Sequence, residues 1–167
     1  SESGGSVAVE VEGGTDFWRK THDGGVRDNG HFLYSEVSGD FRASVSFTPR
    51  FDDRYDHAGL MIRLSPELWI KSGVEFVDGL YYAGAVVTRE WSDWSVIPMT
   101  SPEAVRFSLT RRGETVEVFW KTRTAPERML RQCYFPPDSP LLVGVMAAAP
   151  TGSGFSITFD QLEIAAL

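Results

Sequence analysis

An all-β chain, folded as a two-sheet antiparallel β-sandwich, is what this sequence of 167 residues predicts. Three observations carry the expectation. Apolar residues return at every second position in run after run, each run is short and closed by turn residues, and no stretch keeps a helical rhythm for long. Strands spaced about ten residues apart, with no helix alternating between them, pack as a sandwich or jelly roll.

The elements follow in order. "DFRASVSFTP" sets Phe41, Ala43, Val45 and Phe47 on one face and Arg42, Ser44, Ser46 and Thr48 on the other. "HAGLMIRL", "WIKSGVEF", "YYAGAVVT", "AVRFSLTR", "ETVEVFWK", "PLLVGVMAA" and "GFSITFDQLEI" continue the pattern, rich in Val, Ile, Phe, Tyr and Thr. Between them lie "TPRFDDRYD", "LSPE", "VDG", "SPE", "RRGE" and "PPDSP", all turn material. "APERMLRQC" suits either a turn of helix or a hairpin return. "RDNGH" holds an Asn-Gly pair, the strongest short hairpin signal. No linker, repeat or low-complexity segment divides the chain, so residues 1–167 read as a single β-sandwich domain.

Composition narrows the function classes. A hydrophobic content of 42% supplies a core, and a net charge of -7 with no Lys/Arg cluster argues against nucleic acid as a partner. No apolar run approaches the roughly 18 residues that span a bilayer, so no membrane partner is expected. The single Cys133 has no internal partner, and "RQCYF" offers it no His or second Cys, so a structural thiol is the reading. One cysteine and an opening "SESGGS" that is neither basic nor apolar make the cytoplasm the expected location.

Two opposite charges stand in one strand. Alternation puts Trp69, Lys71, Gly73 and Glu75 on a common face, with Lys71 and Glu75 about 13 Å apart along the strand. Gly73 leaves a floor between them where a ligand can approach, with Trp69 beside it. The plainer alternative pairs each charge with a neighbouring strand, through Arg63 or Asp56. "YDHAGLMIR" aligns His57, Gly59, Met61 and Arg63, so a neighbouring strand would bring His57 and Arg63 to the same groove. His57 would be the acid or base there, as its ordinary pKa lies near 6.5. In "WSDWS", Trp91 and Asp93 suit a sugar ring and its hydroxyls, and Trp94 suits core filling. "TDFWRKTHDGGVRDNGH" gathers Asp16, Trp18, His22, Asp28, Asn29 and His31, but in no zinc spacing. Turn chemistry explains Asp28, Asn29 and Gly30, so no metal and no cofactor is assigned, with calcium on loop oxygens left open.

Six segments in order, "GTDFWRKTHDGGVRDNGHFLY", "GDFRASVSF", "YDHAGLMIR", "WIKSGVEFVDG", "VVTREWSDWS" and "VGVMAAAPTGSGFSITF", resemble the DUF1349 or enolase-regulator-like family. The resemblance runs from about Gly14 to Phe159 and implies a concanavalin A-like jelly roll of the lectin/glucanase superfamily. It implies no settled activity. The chain departs from laminarinase-like relatives of that fold, whose acidic residues alternate along one strand. Here Glu75 and Asp78 are three apart and face opposite ways. The leading expectation is therefore a carbohydrate or small-molecule binder whose groove uses Trp69, Lys71, Glu75, His57, Arg63, Trp91, Asp93 and Trp18. A glycoside hydrolase or lyase would take Glu75 as one carboxylate, with Asp56, Asp93 or His57 as partner. A regulatory protein holding a protein partner is the third reading.

Overall fold

Phe41, Ala43, Val45 and Phe47 are each at most 2% exposed, and Arg42 between them is exposed. Extended backbone sends successive side chains to opposite faces, so a run of this spacing can bury one face only by becoming a strand. The computed structural model, which describes residues 2–3, 5–99, 103–138 and 140–167, makes every one of the eight predicted runs a strand. Two antiparallel sheets result. One has the order β1 (Glu2–Ser3), β2 (Ser6–Glu12), β15 (Gly154–Ala166), β6 (Phe41–Phe47), β11 (Val105–Arg112), β12 (Thr115–Thr122), β13 (Arg128–Tyr134). The other runs β10 (Trp91–Pro98), β9 (Leu80–Arg89), β8 (Leu68–Val77), β7 (His57–Ser65), β14 (Leu141–Ala148), β5 (His31–Val37).

The core lies between the sheets. Val45, Phe47, Phe107, Leu109 and Phe159 from one meet Leu60, Ile62, Ile70, Val74 and Val145 from the other. Phe47 stacks on Phe107 at 6.1 Å and meets Phe159 edge-on at 5.5 Å. Such ring pairs add about 0.5–1.5 kcal/mol each beyond their buried area. "APERMLRQC" resolves to strand: β13 pairs with β12, with a register shift at Val118/Phe119. Among the described residues no helix is long and apolar enough to cross a membrane.

A third, two-stranded sheet matters most for function. β3 (Phe17–Arg19) pairs with β4 (Val26–Asp28), and this hairpin lies on the outer face of the six-stranded sheet. Its tip is "KTHDGG", closed by Lys20 N donating to Gly25 O at 2.7 Å and Gly24 N to Lys20 O at 2.7 Å. The Asn-Gly pair is thus not a hairpin tip, since β4 and β5 on either side of it belong to different sheets. Asn29 instead braces a corner, accepting from Asp16 N and donating to Gly14 O, each at 3.0 Å. Gly30 is required there because a Cβ would collide with the Phe17 ring.

Candidate functional site

The outer face of the six-stranded sheet is a lattice whose rows can be read from the strand register. Gly59 of β7 pairs with Gly73 of β8, and Gly73 pairs with Gly84 of β9. This row of three glycines is bare of side chains, and the β7 and β8 backbones approach so closely that a Cβ on Gly59 or Gly73 would strike the other strand's carbonyl. On one side of the row stand His57, Glu75 and Tyr82; on the other stand Met61, Lys71, Val86 and Trp94. Beyond these come Arg63, Trp69, Thr88 and Ser92.

The β3–β4 hairpin covers the far side of this lattice. Phe17, 2% exposed, packs with Met61, Trp69, Val86 and Met146 in a second apolar cluster. Arg63 holds the Asp28 carboxylate through two bonds of 2.6 Å. Arg19 N donates to Ser92 Oγ at 3.0 Å, and Lys20 pairs with Glu90. Asp16, at the hairpin's root, comes within 3.7 Å of Lys71 Nζ.

What stays uncovered is a small cell above Gly73 and Gly84, with a volume of about 20 Å³ and a lining that is mostly apolar but includes His57, Lys71 and Glu75. Its walls are His57, Lys71, Glu75, Val86, Trp94 and Met146. That volume admits one water-sized group. Lys71 reaches across the glycine row, and its ammonium donates to His57 Nε2 at 3.0 Å. His57 Nδ1 donates to Tyr55 O at 2.8 Å, which fixes the tautomer: Nδ1 carries the proton and Nε2 accepts. Burial, helped by the neighbouring Lys71 charge, drives the His57 pKa down to about 3, so the ring is neutral. Glu75 is only partly covered by area, yet the atoms crowding it desolvate the carboxyl and raise its pKa to about 7. The Lys71 charge and, to a smaller extent, the Trp94 indole N–H pull the other way, and Asp16 adds to the rise.

Sequence reasoning brought the right strands together but misjudged several side chains. Lys71, Glu75 and His57 share one face and one cell. Arg63 is on that face too but is spent on Asp28, with 15% of its side chain exposed. Trp69 is fully buried beneath Phe17, its indole donating to Pro66 O at 3.2 Å, so it is core and not a groove wall. Trp18 sits on the hairpin, donating to Thr21 O at 2.7 Å and packing partly on the second cluster. Asp56 is 1% exposed and faces away from Glu75, accepting from Asp52 N and Asp53 N in its own loop. Asp93 pairs in register with Val87, a core residue, which turns it from the groove face. Trp91 lies at the hairpin end of β10, with Lys20 Nζ 5.6 Å from its ring centre. The indole at the cell is Trp94, 42% exposed, which the parity of "WSDWSVIP" would have placed on the face opposite to Trp91 and Asp93 had that run been read as a strand. Asp16 is the other residue missed as a groove member, and no local signal marks it. Among the described residues no group of three His, Cys, Asp or Glu side chains is arranged to hold a metal ion.

Fold and site together define a two-sheet antiparallel β-sandwich with a small cell, walled in part by His57, Lys71 and Glu75, on the outer face of one sheet. The chain belongs to the DUF1349 family, described as a protein of unknown function, whose family model matches residues 1–167. It is 33% identical to "Regulation of enolase protein 1" of Saccharomyces cerevisiae over 99% of this chain and 84% of that protein. A crystal structure of a functionally unknown protein from Saccharomyces cerevisiae superposes with a TM-score of 0.95 at 31% identity, covering 100% of this chain and 91% of that one. A Bacteroides ovatus xyloglucan-locus protein, GH43B, follows at 0.80 and 15% identity, and a xylan β-1,4-xylosidase from Bacillus halodurans at 0.77 and 14%. This chain covers 100% and 94% of itself in those matches but only 34% and 32% of their length, and the likeness is one of fold.

Proposed function

We propose that this protein is a carbohydrate-binding module without chemistry of its own, which seats one hydroxyl of a sugar in the cell above the glycine row. The observation that carries the reading is the cell itself. A neutral cavity for one oxygen-sized group is flanked by a cation donor, Lys71, and a carboxyl acceptor, Glu75, with an exposed indole at its lip. A sugar lying on the Trp94 face could send one hydroxyl inward while its remaining hydroxyls stay in water. The fold likeness to a xylan β-1,4-xylosidase makes a saccharide the natural ligand to test. A catalytic role finds less support. Two carboxylates must flank a glycosidic bond, whereas Asp56 and Asp93 point elsewhere and Asp16 is engaged by Lys71.

The test is a glycan array followed by calorimetry on wild type, Glu75→Ala, Trp94→Ala and Asp93→Asn. Wild type and Asp93→Asn should bind the same glycans. Glu75→Ala and Trp94→Ala should bind roughly 5- to 150-fold more weakly, since a lost stacking face or buried acceptor is worth about 1–3 kcal/mol. Equal binding by all four proteins would move the site off this face, and no binding by wild type would remove the reading.

A further inference from the structure

Resting on that reading, the chemistry of the cell says which group it takes and how seating that group is linked to protons. Lys71 has three ammonium hydrogens. One goes to His57 Nε2 and a second is directed to Asp16, leaving a third for the cavity that Lys71 lines. His57 has nothing to offer, because Nδ1 is bonded to Tyr55 O and Nε2 is occupied by Lys71. Glu75 is the carboxyl that lines the cavity, with the Trp94 indole beside it. The groups facing Glu75 are then Lys71 on its own strand, His57 on β7, Tyr82 on β9, Trp94 on β10 and Asp16 from the hairpin root. Their charges are one cation and one anion, already opposed to each other.

We propose that this cell selects a neutral hydroxyl over a carboxylate or an ammonium, and that seating the hydroxyl expels the proton from Glu75. A ligand carboxylate would be a third acid sharing the single cation with Asp16 and Glu75. A ligand ammonium would point its hydrogens at those of Lys71. A hydroxyl has both polarities: its oxygen accepts from Lys71 and its hydrogen goes to Glu75. With Glu75 protonated, its O–H is a second donor beside Lys71 and only its carbonyl oxygen is left to accept, whereas the carboxylate takes the hydroxyl's hydrogen in a stronger, charge-assisted bond. Seating therefore favours the carboxylate, and by linkage affinity rises with pH through the Glu75 titration, which lies near pH 7 in the free protein. Each unit by which the bound state lowers that pKa is worth about tenfold in affinity across the titration.

The probes are D-glucose, D-glucuronate and D-glucosamine, titrated at pH 5.5 and 8.5 while NMR follows the Trp94 indole N–H and the Glu75 carboxyl carbon. Glucose is expected to shift both signals, to bind several-fold more tightly at pH 8.5, and to outcompete the two charged sugars. Glu75→Gln is expected to flatten that pH dependence. Glucose binding equally at both pH values, with the Glu75 titration unmoved, would overturn the proton linkage and leave carbohydrate binding standing. Glucuronate or glucosamine binding as tightly as glucose would overturn the selection of a hydroxyl. Silence of the Trp94 N–H with all three sugars would overturn the carbohydrate reading and this inference with it.

Discussion

The outer face of the six-stranded sheet carries charged and aromatic residues at both ends of its strands, but the two ends have different fates. At one end Trp69, Met61 and Arg63 lie under the β3–β4 hairpin, where Phe17 fills the apolar space and Asp28 neutralises the guanidinium. At the other, His57 and Glu75 border a cell with a lip open to water, which Trp94 flanks from the Met61–Lys71–Val86 row across the glycines. Lys71 stands at the seam, with Asp16 of the covered half on one side and His57 of the open half on the other. Strand periodicity assigns both ends to one face; only the hairpin decides which end is core. A charge in mid-sheet is therefore evidence of a face, and becomes evidence of a site only when nothing folds back over it.

The largest effect should come from removing the plug. Phe17→Ala deletes a ring that is 2% exposed and edge-on to Trp69 at 6.3 Å. Large-to-small core changes of this kind cost about 3–5 kcal/mol. Denaturant unfolding should register that loss, and acrylamide should quench tryptophan emission more strongly in the folded variant because Trp69 becomes reachable. A loss below about 1 kcal/mol with unchanged quenching would show that the hairpin is not what separates the halves.

How much of this was legible beforehand follows the same division. The eight strand runs and the sharing of one face by His57, Lys71 and Glu75 rest on period-two alternation, which is local and survives into the structure. The row Gly59–Gly73–Gly84 requires the register of three strands; sequence reasoning put Gly59 and Gly73 on the groove face but did not pair them or reach Gly84. Asn29-Gly30 misled because its turn chemistry serves a corner between sheets, where Asn29 caps Asp16 and Gly30 makes room for Phe17. Trp69 was misplaced because its cover comes from Phe17, 52 positions earlier in the chain, and no pattern within β8 announces it. The choice between Trp91 and Trp94 turned on a single step of strand parity.

The open half should show itself next through pH. Glu75 has its folded pKa raised from 4.5 to about 7, so the native state binds a proton that the unfolded chain does not. Its stabilising contribution is thus fully present below about pH 4.5 and is lost as pH rises through 7. Glu75→Gln removes the ionisable group, and the variant should exceed wild type in stability at pH 8 by at most about 3 kcal/mol, at 1.36 kcal/mol per pKa unit. The difference should vanish near pH 4.5. His57 works in the opposite sense: its folded pKa is lowered from 6.5 to about 3, so protonation of the unfolded chain erodes stability as pH falls through that window. Wild-type stability should consequently change little between pH 6.5 and 4.5, where the two offset each other, and Glu75→Gln should fall steeply there. Parallel stability curves for the two proteins would mean that the carboxyl is not desolvated in its cell.

The smallest effect on stability, and the sharpest on the site, belongs to Trp94. At 42% exposed on the edge strand β10, its ring contributes little to the core, and Trp94→Ala should lie within about 1 kcal/mol of wild type. Its effect on Glu75 has two opposed parts. The indole N–H stabilises the carboxylate, so its loss would raise the pKa; the indole ring also helps keep water from the carboxyl, so its loss would lower it. Desolvation is the largest influence on Glu75 and the Trp94 indole N–H the smallest, so admitting water should win and the pKa should drop from about 7 toward its ordinary value of 4.5. Carboxyl carbon shifts followed from pH 4 to 9 would read the change directly. An upward shift would mean that the indole acts chiefly as a donor, and that the enclosure of the cell comes from His57, Lys71 and Met146 rather than from its lip.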